Sequence, residues 1–332
     1  MRRLKMKKLL TLASAALLAV SGAMASAEEI VIRLSYVTSP TGHPKGEAAE
    51  AFAARVNEEM AGVVRVETFP NSTLYNDNDV LDAMILGDVE MAAPSLSKLE
   101  PYTLAFRVFD LPFVFEDTEA LDRFQASETG QEMLGSLEEF GLLGLGFWRN
   151  GMKQFSANVP LLDPSDAEGL RFRIQSSDVL AAMVEALGAS GQKMAFAEVF
   201  GALQTGTVDG QENTWSNIFT KKFYTVQDGV TASNHGILDY IVVVNAEFWN
   251  GLPDDVRTEL EAIYAEVTAE QNAAAQQINL DARDAIIAEG YEVRELTAEQ
   301  RAAWQAAMQP VYDQFVGDIG QDVLDAALAS NN

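Results

Sequence analysis

Residues 30–37 (IVIRLSYV) alternate, with Ile30, Ile32, Leu34 and Tyr36 on one face, which is the two-residue period of a strand. A polar loop, TSPTGHP, separates this run from KGEAAEAFAARVNEEMAG, where Phe52, Val56 and Met60 share a helical stripe and Gly62 is placed to end it. Residues 63–69 (VVRVETF) predict a second strand, stopped by Pro70 and Asn71, and VLDAMILGDVEMAAPSLS predicts a helix, a turn at Gly87 and a short buried strand. Strand–helix–strand–helix–strand order predicts an α/β domain with a mostly parallel sheet. The second half repeats this style without repeating the sequence. GLLGLGFW and GLRFRI are strand candidates, a helix is expected at about 178–187 closing at Gly188, and a short helix with Phe200 and Leu203 stops at Gly206. TVDGQEN then returns to strand or loop. From Asp254 to Glu289 there is neither Gly nor Pro, with Pro253 at the start and Gly290 at the end. As one helix this run would be roughly 54 Å long, more than the diameter of a small domain. It is therefore either a strut between two domains or two helices with an unmarked break.

The N-terminus follows a different pattern. Residues 1–8 carry five cations and no acid, residues 9–20 (LLTLASAALLAV) are apolar, and residues 25–27 (ASA) are small. This predicts a secretory signal peptide over 1–27, because the apolar run is too short to span a bilayer stably. Export would leave a 305-residue mature chain, long enough for two domains, in the periplasm. The sequence has no cysteine, so a disulfide framework, a thiolate metal site and a cysteine nucleophile are excluded.

The formal charge is −26, and −31 once the five leader cations are set aside, with 18 Lys and Arg against 49 Asp and Glu. So acidic a chain is not expected to bind nucleic acid, which requires cations to neutralise phosphates, nor to dock on anionic lipid. If it binds an anion, its few cations must be gathered locally. Four of the 18 fall within 25 residues: Arg149, Lys153, Arg171 and Arg173. In GLRFRI, Arg171 and Arg173 share one strand face and Phe172 and Ile174 the other. An arginine fork can hold a carboxylate through two hydrogen bonds, which makes Arg173 a ligand candidate; the plainer reading is a surface arginine paired with an acid. Enzyme signatures are missing: there are two histidines, His43 and His235, and no H-E-x-x-H, G-x-S-x-G, Walker loop or G-x-G-x-x-G after a strand. NDND at 76–79 lacks the Gly and terminal Glu of an EF-hand loop and is read as a solvated turn. No cofactor or metal is expected.

Several segments together resemble the DctP-type substrate-binding proteins of tripartite ATP-independent periplasmic (TRAP) transporters. They are FWRNGMKQFSAN, GLRFRIQSSDVL, KMAFAEVFGALQTGTVDGQENTWSN, TASNHGILDY and FWNGLPDDVRTEL, with PKGEAAEAF and PNSTLYND nearer the start. NGMK, RFRIQSSD and QENTWSN resemble the branch that takes up succinate, fumarate and malate. The resemblance implies a salt bridge from Arg173 to a ligand carboxylate, a contact from Asn213 and an aromatic cleft wall at Phe196. Lys153 stands where many relatives place a second arginine, keeping the charge but not the fork. Lys45, at a helix start where backbone N–H groups also favour an anion, is the candidate for a second carboxylate, with a solvated lysine as the alternative. Trp215 or Asn217 could line the cleft, Trp215 equally belonging to the core; Ser95 could donate to the ligand or cap a helix. Arg149 is either a third cation near the carboxylates or an exposed residue, and His235 is expected to be structural.

The fold expected by resemblance is α/β: a two-domain periplasmic binding protein with its cleft between the domains and long domain-spanning helices. The expected boundaries are 28–150 with 239–278 for domain I, and 151–238 with 279–330 for domain II. The expected function is capture of a four-carbon dicarboxylate by a monomer that closes on it and delivers it to the membrane subunits of a TRAP transporter. The alternatives left open are a monocarboxylate or sugar-acid binder, an exported hydrolase, and a binder that also feeds a sensor kinase.

Overall fold

The computed structural model describes residues 29–332, so the leader expected at 1–27 lies outside the described residues. In chain order the elements are β1 (Ile30–Ser35), α1 (Pro44–Glu59), β2 (Val64–Phe69), α2 (Val80–Ile85), β3 (Met91–Ala92), α3 (Thr118–Ala126), α4 (Glu128–Gly135) and β4 (Leu142–Ala157). There follow β5 (Arg171–Ile174), α5 (Asp178–Ala186), β6 (Ser190–Lys193), α6 (Val199–Gln204), β7 (Gly210–Asn213), α7 (Trp215–Thr220) and β8 (Gly229–Asn245). The chain ends with α8 (Ala246–Gly251), α9 (Asp254–Ala288), β9 (Val293–Glu295), α10 (Ala298–Met308), α11 (Pro310–Ile319) and α12 (Gln321–Ala329).

The strands form one mixed sheet in the order β2-β1-β3-β8-β4-β7-β5-β6, with β9 on β8. Pairing is parallel at both ends of the order, between β1 and its neighbours and between β5 and its neighbours. It is antiparallel wherever β4 and β8 take part with β3, β7 or each other. The expected parallel character therefore holds within each half and fails at the join. Two long strands, of 16 and 17 residues, run side by side through both halves there.

The core falls into clusters that follow this division. One packs β1, α1 and β2 against the first half of α9, through Phe52, Trp148, Leu260 and Tyr264 among others. Another packs α6 and α7 against the second half of α9, through Leu203, Ile218, Ala282 and Ile286. A third runs from α2 and α3 to α5 and the C-terminal helices. The residues from Asp254 to Ala288 form one helix, about 52 Å long, buried on one stripe in both halves. Pro44 fits the first turn of α1, where its missing N–H is no loss. Next to it, Gly46 allows the TSPTGHP loop to lie on the helix start, because a Cβ there would stand 1.8 Å from the Ser39 carbonyl oxygen. That close approach buries His43 and Lys45 completely and aims both toward the join. Among the described residues, no helix is long and apolar enough to cross a membrane.

Candidate functional site

Where β5, β7 and α7 meet β3 and β8, ten residues from both sequence halves line a small cavity with about 300 Å³ of empty volume. Arg173, Gln175, Phe196, Asn213 and Asn217 come from one side, and Val37, Asp77, Ser95, Leu238 and Tyr240 complete it. Strand alternation accounts for two of the pairs. Arg173 and Gln175 are two residues apart at the end of β5, and Leu238 and Tyr240 are two apart on β8.

Arg173 is 1 % exposed. Its Nε and Nη2 donate to the Met194 carbonyl at 3.1 and 2.8 Å, which holds one edge of the fork against its own strand layer. The guanidinium lies 5.8 Å from the centre of the Phe196 ring. Asn213 donates to Gln211 at 2.9 Å and accepts from Asn217 at 2.6 Å, and the Asn217 oxygen sits 2.7 Å from His43 Nε2. Ser95 Oγ donates to Gln175, so its hydroxyl does not cap the turn that follows it. Asp77 accepts from the Phe196 N–H at 3.2 Å and stands 3.3 Å from Lys98 Nζ.

Three further cations touch the lining. Lys45 Nζ donates to the Ala93 carbonyl at 3.0 Å and lies 3.6 Å from the centre of the Tyr240 ring. Lys98 pairs with Asp77, and Lys221 Nζ stands 5.4 Å from the Phe196 ring. Burial pulls the Lys45 ammonium well below the usual lysine range, with Asp77 opposing and Lys221 adding to the shift. Burial likewise lowers Arg173, Lys98 and Lys221, and it holds His43 well below its ordinary value with help from the Lys45 charge. These groups share a cost of staying charged that a nearby anion would relieve.

The structure brings Arg173, Asn213, Phe196, Ser95 and Asn217 of the expected set onto one cavity, with Lys45 just behind Tyr240. It does not bring Lys153, Trp215 or Arg149 there. Lys153 is 1 % exposed but stands 2.8 Å from Glu212 and 3.9 Å from Asp110; two buried carboxylates hold its charge. Trp215 is two residues before Asn217, about 200° round the helix, so it faces Arg283 of α9 instead. Arg149 turns away to pair with Asp122 of α3. Arg171, outside that set, is exposed and pairs with Asp209 at 2.9 Å; only the inner arginine of the strand face reaches the cavity. His235 hydrogen-bonds Ser233 at 2.8 Å and stacks on Phe155, away from the lining.

Asp77, Gln175, Tyr240, Leu238 and Val37 were not anticipated. The signal for Gln175 was its two-residue spacing from Arg173. Asp77 belongs to the NDND turn read as solvated; Asn78 and Asp79 are exposed there, but Asp77 turns inward to the Phe196 N–H and Lys98 and is 6 % exposed. Nothing local to the sequence separates those two fates.

A family model described as bacterial extracellular solute-binding protein, family 7, matches residues 34–318. The chain is 53 % identical over 330 residues to the C4-dicarboxylate-binding periplasmic protein DctP of Vibrio cholerae, covering 98 % of this chain and 99 % of that one. Among solved structures it is similar to a TRAP periplasmic solute-binding protein from Shewanella oneidensis with bound succinate (TM-score 0.90, 45 % identity, 92 % of this chain and 100 % of that one). A second, from Pseudomonas aeruginosa with bound L-malate, gives a TM-score of 0.84 at 44 % identity, over 86 % of this chain and 100 % of that one.

Proposed function

The chain belongs to family 7 of the bacterial extracellular solute-binding proteins, and on that premise we propose that it captures a four-carbon dicarboxylate in the periplasm for a TRAP transporter. The observation that carries the reading is the convergence of Arg173, Lys45, Lys98 and Lys221 around one cavity in a chain of net charge −26. Against so acidic a background, a buried arginine on the cavity with three lysines set against its lining fits a doubly charged anion. The names of the relatives agree with this choice.

In this reading the free edge of Arg173 and the Asn213 amide take one carboxylate, and Phe196 and Leu238 cover the carbon chain. Lys45 and Ser95 serve the second carboxylate from across the cleft. The division at 28–150 with 239–278 against 151–238 with 279–330 makes the cavity an inter-lobe cleft. Contacts such as His43–Asn217, Ser95–Gln175 and Lys221–Asn71 then act as closing contacts. The ligand leaves unchanged, since the arrangement offers it charge and burial and no attacking group.

Thermal unfolding with succinate, fumarate, malate, pyruvate, lactate and a sugar acid tests the proposal. A ligand at ~1,000 times its dissociation constant adds about 4 kcal/mol of stability. Stabilisation by the four-carbon diacids alone is expected, with the ligand recovered unaltered. Stabilisation by the monocarboxylates or the sugar acid alone would overturn the dicarboxylate assignment while leaving Arg173 in place.

A further inference from the structure

Between Trp148 and Gly151 the β4–β8 ladder skips. Trp148 pairs with Tyr240 and Gly151 with Leu238, so Arg149 and Asn150 together oppose Asp239, as in a β-bulge. The Asn150 N–H donates to the Asp239 carboxylate at 2.8 Å, and Gln125 of α3 donates to its other oxygen at 3.3 Å. This side chain stands in for a missing ladder bond at the point where the long strands pass from one half of the molecule to the other.

Asn150 is fully buried and reaches the cavity walls from there. Its Nδ2 donates to Thr214 at 2.9 Å and to the Tyr240 hydroxyl at 3.2 Å, and its Oδ1 accepts from Ser216 at 2.8 Å. Asn279, in the second half of α9, donates to the Asn150 carbonyl at 2.9 Å and accepts from the Ser216 N–H at 3.0 Å. Thr214 and Ser216 flank Asn213 and Asn217 in sequence, and Tyr240 lines the cavity itself. Asn150 thus ties the crossing directly to Tyr240 of the lining, to the neighbours of Asn213 and Asn217, and to the strut.

Behind the crossing lies a second groove, with about 820 Å³ of empty volume, walled by Asn150, Gly151, Met152, Asp117 and Thr118. Asp239 is 1 % exposed. Burial pushes its carboxyl up to about 7, against the opposing pull of the Asn150 and Gln125 hydrogen bonds and the Arg149 charge. The charged groups around this point are Arg149 and Asp122, paired with each other, Asp117 capping α3 and Glu119 on its first turn, and Arg283 of α9 paired with Glu295 of β9 at the groove.

We propose that Asn150 and Asp239 are positioning residues of the carboxylate site, holding Asn213, Asn217 and Tyr240 in place, and that Asp239 takes up a proton as the lobes close. The inference rests on the dicarboxylate-binding reading. Opening bends β4 against β8 at the bulge, loosens the Asn150–Asp239 bond and lets water in from the groove; a solvated carboxyl gives up its proton. Closure reverses this, so ligand binding carries a proton with it and affinity rises as pH falls through about 7.

Calorimetric titration with succinate in buffers of different ionisation enthalpy, from pH 6 to 8.5, counts that proton. The wild type is expected to take up about a quarter of a proton at pH 7.5, with an affinity nearly flat above pH 8 and rising toward tenfold per pH unit below 7. Asp239→Asn keeps an acceptor for the Asn150 N–H and cannot ionise; its affinity should be independent of pH over this range and at or above that of the wild type at pH 6, with no proton exchanged. Equal proton counts in the two proteins overturn the proposal. If the wild type binds neither succinate nor L-malate, the ligand reading fails. The pair is then judged by hydrogen exchange of the Asn150 amide in the free protein, corrected for the intrinsic pH dependence. Faster exchange on going from pH 6 to 8 in the wild type alone supports the hinge, and identical behaviour in Asp239→Asn removes it.

Discussion

Arg173 is gripped from behind by the Met194 carbonyl, which fixes the plane of the fork before any ligand arrives. Such preorganisation means that little side-chain entropy is lost on binding. Arg173→Ala should therefore cost between about 2 and 5 kcal/mol of binding, at least ~30-fold in affinity for succinate. The fold should survive, as judged by an unaltered circular dichroism spectrum; unchanged affinity by calorimetry would remove Arg173 from the site. Lys45 is held differently, against the Tyr240 ring and the Ala93 carbonyl, with burial working against its charge. Lys45→Ala should weaken succinate about tenfold more than lactate, because the change removes a partner for the second carboxylate alone. Equal losses for both ligands would place that carboxylate elsewhere. Arg173 and Lys45 were legible because each combines a scarce residue type with a strand face or a helix start. Lys153 has the same residue type in as suggestive a segment, but its charge is held by Glu212 and Asp110 from other elements. No local pattern reports such partners.

The elements were read most reliably where period and punctuation agree, as in α1, α5 and the three strands of the first half. β4 and β8 were harder to see. GLLGLGFW reads as a strand by itself, but its glycines suggest an end, and the strand continues through NGMKQFSA by means of bulges. Pairing two long strands across the molecule is a non-local fact that turn residues do not encode. The run from Asp254 left one helix or two open, and packing decides for one: buried Leu260 and Tyr264 serve the first cluster, Ala282 and Ile286 the second, with Asn279 near the crossing. Continuity of α9 can be tested without touching the core, because Ala273 is exposed. Ala273→Pro should destabilise by about 3 kcal/mol and Ala273→Gly by about 1 kcal/mol, read as shifts of denaturant midpoint at constant slope. A near-neutral proline would show that the helix is already broken there.

At the scale of the whole molecule the charge and the site pull in opposite directions. The full chain carries a net charge of −26 and the expected mature chain −31, while a four-carbon dicarboxylate at neutral pH is itself a dianion. Approach from a distance is governed by the net field, which repels it, whereas capture is governed by Arg173, Lys45, Lys98 and Lys221 inside the join. The two ranges separate with salt, because the screening length is about 30 Å at 0.01 M and about 10 Å at 0.1 M ionic strength. Screening should remove the long-range repulsion first and leave the buried cations nearly untouched. The association rate of succinate, followed by stopped-flow tryptophan fluorescence, should therefore rise several-fold over that range, with the dissociation rate almost constant. This is the reverse of electrostatically steered binding, in which salt slows association. A rate that falls with salt would mean that the cations at the cleft dominate the field even outside the molecule. In that case the acidic surface would have to be arranged away from the cleft mouth.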